Sequence, residues 1–214
     1  MDFVTLASIR AEYRPLLDPA TPVPTLDRAI RRAATQFCIA SEAIRETIEA
    51  VAVTADEPRV ALTTSGSTFA VALHDASYNA RRMDISSPQE VARFASTNTA
   101  IPPSGTPTRI YLDAGAALVV APTPVETASL LTVRVAVAPT RSATSIPSEF
   151  STTYFEQLLD GTKAMLLAMP EASWSNPQAA LQYRGMFMAA ARSAKSMADH
   201  NNTRRKTLMS YGGY

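Results

Sequence analysis

The hydrophobic period of this chain changes twice. Apolar residues recur at three- and four-residue spacing up to about residue 48, at every second position in short runs from about 49 to 140, and at helical spacing again after Pro147. A helix buries one stripe with a period of 3.6 and a strand one face with a period of 2, so the two patterns assign segments to different structures. The pattern predicts an α+β protein: two N-terminal and two C-terminal helices forming a frame, with a small antiparallel β-domain inserted between the second and third. The expected organisation is 1–48 as the first half of the frame, 49–140 as the insert, 141–200 as the second half and 201–214 as an extended C-terminal tail.

Leu6, Ile9, Tyr13 and Leu16 predict a short helix over residues 3–17, closed by Pro15 and Asp18-Pro19. After the stiff stretch Thr21–Thr25, a single stripe of Leu26, Ile30, Ala33, Ala34, Phe37, Ser41, Ile44 and Ile48 predicts one long second helix. Val51 and Val53, then Phe69, Val71 and Leu73, then Ile110 and Leu112, then Val133, Val135 and Val137 predict strands with one wet face. Ser87-Pro88 opens a small helix through Phe94. A third long helix follows Pro147 with Tyr154, Phe155, Leu158, Leu159, Thr162, Met165, Leu166 and Met169 on one face. Asn176-Pro177 then starts a fourth with the stripe Leu181, Arg184, Met188, Ala191, Ala194 and Ala198.

Few groups are available for catalysis, and the chain is expected to have no catalytic, cofactor or metal site. The two histidines leave few arrangements for a metal or triad: His200 adjoins the tail, and His74 falls on the outer, solvent-facing side of its strand if Phe69, Val71 and Leu73 point inward. Ser65 or Ser67 with His74-Asp75 is the one hydrolase arrangement to weigh, but it lacks the Gly-x-Ser-x-Gly elbow. Seven glycines, adjacent only at Gly212-Gly213 in the tail, provide no phosphate-cradling loop. The lone Cys38 reads as a small buried hydrophobe. No apolar run reaches the roughly 20 residues of a membrane span, and the start Met1-Asp2-Phe3 lacks a signal-peptide pattern, so a soluble, cytosol-made protein is expected. A net charge of +1 gives no general field for nucleic acid or anionic membranes.

One local charge run stands out. Arg204, Arg205 and Lys206 precede Leu208, Met209, Tyr211 and Tyr214 in a segment without a clear period and without an acid after Asp199. A solvated terminus is the plain reading. Three cations are fewer than the about 6 to 10 phosphate contacts of an electrostatic DNA binder, whereas the aromatic and apolar residues suit docking on a protein. Fully extended, the last 14 residues reach roughly 45 to 50 Å.

The order of three blocks resembles the head-to-tail adaptor proteins of short-tailed bacteriophages, the tail tubular protein A and connector type. The first block is Leu26-Asp27-Arg28-Ala29-Ile30-Arg31-Arg32-Ala33-Ala34-Thr35-Gln36-Phe37-Cys38. The second is Val133–Thr140 followed by Ile146-Pro147 and Leu167-Ala168-Met169-Pro170, and the third is Trp174-Ser175-Asn176-Pro177 leading to Tyr183-Arg184 and Phe187. The resemblance implies a twelve-subunit ring in the virion between the portal protein and the tail nozzle protein, around a channel in which genomic DNA is touched only transiently. It also implies that Arg28, Arg31, Arg32, Phe37, Trp174 and Arg184 belong to the ring's helical frame, that the tail docks on the portal, and that synthesis takes place in the host cytoplasm. A different class remains open from the residues alone: a monomeric module whose β-domain binds a small ligand or carbohydrate.

Overall fold

The computed structural model describes residues 1–91, 104–113, 117–170 and 172–200. Its helices and mainly antiparallel sheets make the chain α+β, as the two changes of period predict.

Helix α1 (Leu6–Tyr13) is capped by Thr5, whose hydroxyl accepts the Ser8 N–H at 3.2 Å. A 3-10 turn at Arg14–Leu16 follows. Phe3–Thr5 are not helical, contrary to expectation: they form β1, paired antiparallel with β10 (Ser145–Pro147). That ladder supplies partners for backbone groups that an edge segment would otherwise leave bare. Arg10 holds α1 to α2 (Val23–Ser41) through both carboxylate oxygens of Asp27, at 2.8 and 2.6 Å.

Helix α2 begins inside the predicted connection, because Pro24 falls in the first turn, where its missing N–H costs nothing. It ends at Ser41 and does not run to Ile48. Glu42 turns left-handed (φ 49°), its N–H closing on the Cys38 carbonyl, and strand β2 (Arg45–Val53) starts immediately after. Ile44 and Ile48 are four residues apart, a spacing that fits one helix stripe and one strand face equally.

The main sheet runs β2-β9-β4-β5, with β9 at Ala128–Pro139, β4 at Thr68–Tyr78 and β5 at Arg81–Arg82. A second sheet runs β3-β8-β7-β6: β3 Arg59–Ala61, β8 Ala117–Ala121, β7 Arg109–Leu112 and β6 Asp84–Ile85. Strands β6 and β7 are parallel, an exception to the antiparallel expectation. The small helix expected over Ser87–Phe94 starts as predicted: the Ser87 hydroxyl accepts the Glu90 N–H, and the Glu90 carboxylate accepts the Ser87 N–H. Its end lies outside the described residues.

In β9 every residue from Val135 to Pro139 is buried, where a half-wet strand was expected. Helix α2 covers this stretch. The Thr35 hydroxyl lies 3.0 Å from the Pro139 carbonyl, and an Arg31 N–H donates to the Arg141 carbonyl at 2.6 Å. In β4 the register against β9 shifts between Ala70 and Ala72 and again between Leu73 and Asp75. These bulges break strict alternation. Phe69, Val71 and Leu73 are half-buried, while Ala70, Ala76 and Tyr78 are buried.

The third predicted helix is two pieces, α3 (Glu149–Thr152) and α4 (Phe155–Leu167), separated at Thr153-Tyr154. Tyr154 leaves helical geometry and sets its ring 4.7 Å from that of Phe37. Phe150 and Phe187 complete this aromatic centre at 5.6 and 6.0 Å from Phe37. Helix α5 (Pro177–Asp199) starts at the predicted cap, with the Asn176 side-chain oxygen accepting the Ala179 N–H at 3.1 Å. At Gly161 of α4 a Cβ would stand 2.6 Å from the Phe187 ring and 3.1 Å from the Ala33 methyl, so only glycine lets α2, α4 and α5 meet there. With the 3-10 turn and α3 beside the four longer helices, a frame of four helices is too simple a description.

The predicted stripe on α5 needs a similar correction. Its buried residues are Ala180, Phe187, Ala191 and Ala194, whereas Leu181 is 70% exposed and Arg184 is also exposed. The N-terminal half of α5 therefore turns part of its apolar surface outward.

Candidate interaction surface

On the outer side of the helical layer, α2, α4 and α5 enclose an open groove of about 820 Å³. Its apolar lining includes Ile39, Met165, Met169, Leu181 and Met188, and its charges are Arg28 and Arg32 of α2 and Arg184 of α5. All three guanidiniums are exposed and make no hydrogen bond or ion pair among the described residues. Among the described residues no carboxylate lines the groove. Arginine rims around methionine and leucine are the composition of a protein-binding surface: the guanidinium stacks and forks to carboxylates, and the thioether adapts its shape to a partner.

The other frame residues work inside the subunit. Phe37 is the fully buried centre of the aromatic cluster. Arg31 ties α2 to the loop after β9. Trp174 is half-buried in the α4–α5 link and packs on the core. Thus the structure brings Arg28, Arg32 and Arg184 together and sends Arg31, Phe37 and Trp174 elsewhere. The tail residues Arg204, Arg205, Lys206, Leu208, Met209, Tyr211 and Tyr214 lie outside the described residues.

The root of that tail is held by a polar network that the sequence did not reveal. The largely buried Arg45 donates to the Ala198 carbonyl at 2.9 Å and pairs with Asp199 at 2.5 Å, gripping the last turn of α5. Asp199 is held below the ordinary carboxylate range by its hydrogen bond to Arg45. Glu42 accepts Lys195 at 2.5 Å and stands 3.3 Å from His74 Nε2, which makes an ion-pair distance without hydrogen-bond alignment. His74 therefore does not face solvent, as the strand pattern predicted. The bulge at Leu73/Asp75 and the cover from α5 place it among Glu42, Arg45, Lys195 and Asp199. Burial, reinforced by Arg45, lowers its pKa below the ordinary value.

The hydrolase arrangement is not assembled. The Ser65 hydroxyl donates to Glu46, Ser67 is engaged through its carbonyl with the Thr140 N–H, and His74 faces Glu42. The Cys38 thiol is fully buried, which pushes its pKa up and leaves it protonated and unreactive. Among the described residues no three His, Cys, Asp or Glu side chains come together to hold a metal, and no helix is long and apolar enough to cross a membrane.

No curated protein matches the chain. A family model described as SU10 adaptor protein does, over residues 4–209, a span that takes in the whole helical frame, both four-stranded sheets and the groove. The chain belongs to the SU10 adaptor protein family, bacteriophage structural adaptors that reside in the virion and associate with its other components.

Proposed function

We propose that this chain is one subunit of a ring, twelve-membered by resemblance, that joins the portal to the tail nozzle and lines the channel through which the genome passes. The family match carries the reading, and the unpaired, arginine-rimmed groove supports it, because an adaptor acts through surfaces that single copies leave unfilled. Helices α1 to α5 form the frame of the ring wall, strands β2 to β9 the inserted β-domain, and residues 201–214 the arm that docks on the portal. A net charge of +1 suits a conduit that touches DNA without gripping it.

The arm is anchored at its root by Arg45 and ends in Leu208, Met209, Tyr211 and Tyr214, so each copy presents an apolar hook on a firm base. A single hook binds weakly. A ring presents many at once, and their effective concentration multiplies the affinity. Deleting residues 201–214 leaves a folded chain that no longer joins purified portal, as seen by sedimentation and negative-stain imaging. Unchanged joining would sink the arm's proposed role, and a wild-type chain that never forms a ring on portal would sink the whole reading.

A further inference from the structure

We propose that the groove seats a second copy of this chain, with the acidic loop tip of one copy's β-domain entering between Arg28, Arg32 and Arg184 of the next. The proposal rests on the ring reading and names the contact that builds the ring. The tip consists of two loops locked together: the Asp56 N–H donates to the Pro124 carbonyl at 2.9 Å, and the Ala55 N–H donates to the Thr127 hydroxyl at 3.0 Å. It carries Asp56, Glu57 and Glu126 with no cation between them, and Val125 at its apex is 55% exposed. None of the three carboxylates has a side-chain partner among the described residues.

The two surfaces match in sign and kind. Among the described residues the groove has three unpaired guanidiniums, no acid and an apolar floor, and the tip has three unpaired carboxylates, no base and an apolar apex. Opposed in this way, they steer encounter and fix register. The contact lies between copies because β2 carries the tip away from the helical layer, whereas the groove is lined by α2, α4, α5 and the link between the last two. Since tip and groove are different surfaces, the contact is head-to-tail, the kind that closes into rings.

Other occupants fit less well. The chain's own tail brings Arg204, Arg205 and Lys206 and no acid, so like charges oppose it. A nucleic-acid backbone would answer the arginines but would lay phosphates over Met165, Met169 and Leu181, which cannot hydrogen-bond them.

Charge swapping in the full-length chain, assembled on portal, tests the contact. A groove variant (Arg28→Glu with Arg184→Glu) and a tip variant (Glu57→Lys with Glu126→Lys, both exposed and outside the left-handed region) each keep the wild-type circular dichroism and melting temperature. Each alone assembles on portal at least about 100-fold less well than wild type. Mixed in equal amounts, they restore rings, because alternating copies place acid against base at every contact. As a second measure, a Glu57→Cys chain and an Arg32→Cys chain cross-link to each other through a short bismaleimide, with Cys38 shielded by burial.

Loss of assembly without rescue by mixing would overturn the proposal and assign the groove to the portal or the tail. Loss of DNA binding with rings intact would assign it to nucleic acid and also overturn it. Full assembly of both variants overturns it as well. In each of these cases wild-type rings still form, so the ring reading survives, whereas absence of wild-type rings on portal ends both.

Discussion

Around Phe37 of α2 the helical layer closes through Phe150 of α3, Tyr154 at the start of α4, Phe187 of α5 and a glycine of α4 that admits no methyl. On their outer side the same helices leave a groove with three unpaired arginines and exposed Leu181, and Gly161 and Phe187 belong to both regions. The seam holds one copy together, since Phe37, Phe150 and Phe187 are withdrawn from water and the half-buried Tyr154 packs against them. The groove contributes little to a lone copy, because exposed apolar surface and solvated cations have nothing to exchange water for. On the proposed reading, stability and assembly use different faces of the same helices, which meet at Gly161 and Phe187, and substitutions on the two faces should separate them.

The largest effect is expected at the seam. Phe37→Ala removes a fully buried ring that touches Phe150, Tyr154 and Phe187, and it should cost about 3 to 5 kcal/mol. Urea unfolding measures it. A loss below about 1 kcal/mol would mean that the seam collapses onto the cavity without penalty and is not what holds the three helices.

Most of the seam was readable from sequence and most of the groove was not. Leu26, Ile30, Ala33 and Phe37 announce a buried stripe because three- and four-residue spacing over a long run fits only a helix. Where spacing is ambiguous the reading fails: Ile44 and Ile48 suit helix and strand alike, and the left-handed turn at Glu42, which decides between them, has no glycine to mark it. Strand β3 buries a single residue, Val60, which leaves no period to detect, and β8 buries Leu118 and Val120 within a run that is apolar throughout, so no alternation shows in its sequence. Leu181 reads as core in the sequence because an exposed hydrophobe has the same chemistry as a buried one. His74 was misplaced because a bulge changes which side of a strand a residue occupies, and alternation cannot foresee bulges.

At the root of the tail, between seam and groove in its effect, pH is the probe. Burial and the nearby Arg45 lower the His74 pKa, so the unfolded chain takes up this proton first, near the ordinary value of about 6.5. Stability is therefore full above that value and declines as pH falls through the folded pKa. Asp199 adds a second decline, below its ordinary 3.8, when protonation frees Arg45. Thermal melts between pH 7.5 and 5.5 should fall for wild type and lie nearly flat for His74→Gln. The loss should stay smaller than that of Phe37→Ala. A slope unchanged in His74→Gln would place the titrating group elsewhere.

The smallest effect on stability is expected in the groove, and its smallness is the informative part. Arg28→Ala and Leu181→Ala remove side chains that are exposed and, for the arginine, without a partner among the described residues. Each should shift unfolding by no more than about 0.5 kcal/mol. The same substitutions remove area and charge that only a neighbour would use, so incorporation into particles should drop while the melting curve stays in place. A melting point lowered as far as that of Phe37→Ala would make the groove a part of the core with a gap in it. The two sides of the helices would then serve a single role, and the case for an outward-facing assembly surface would fail.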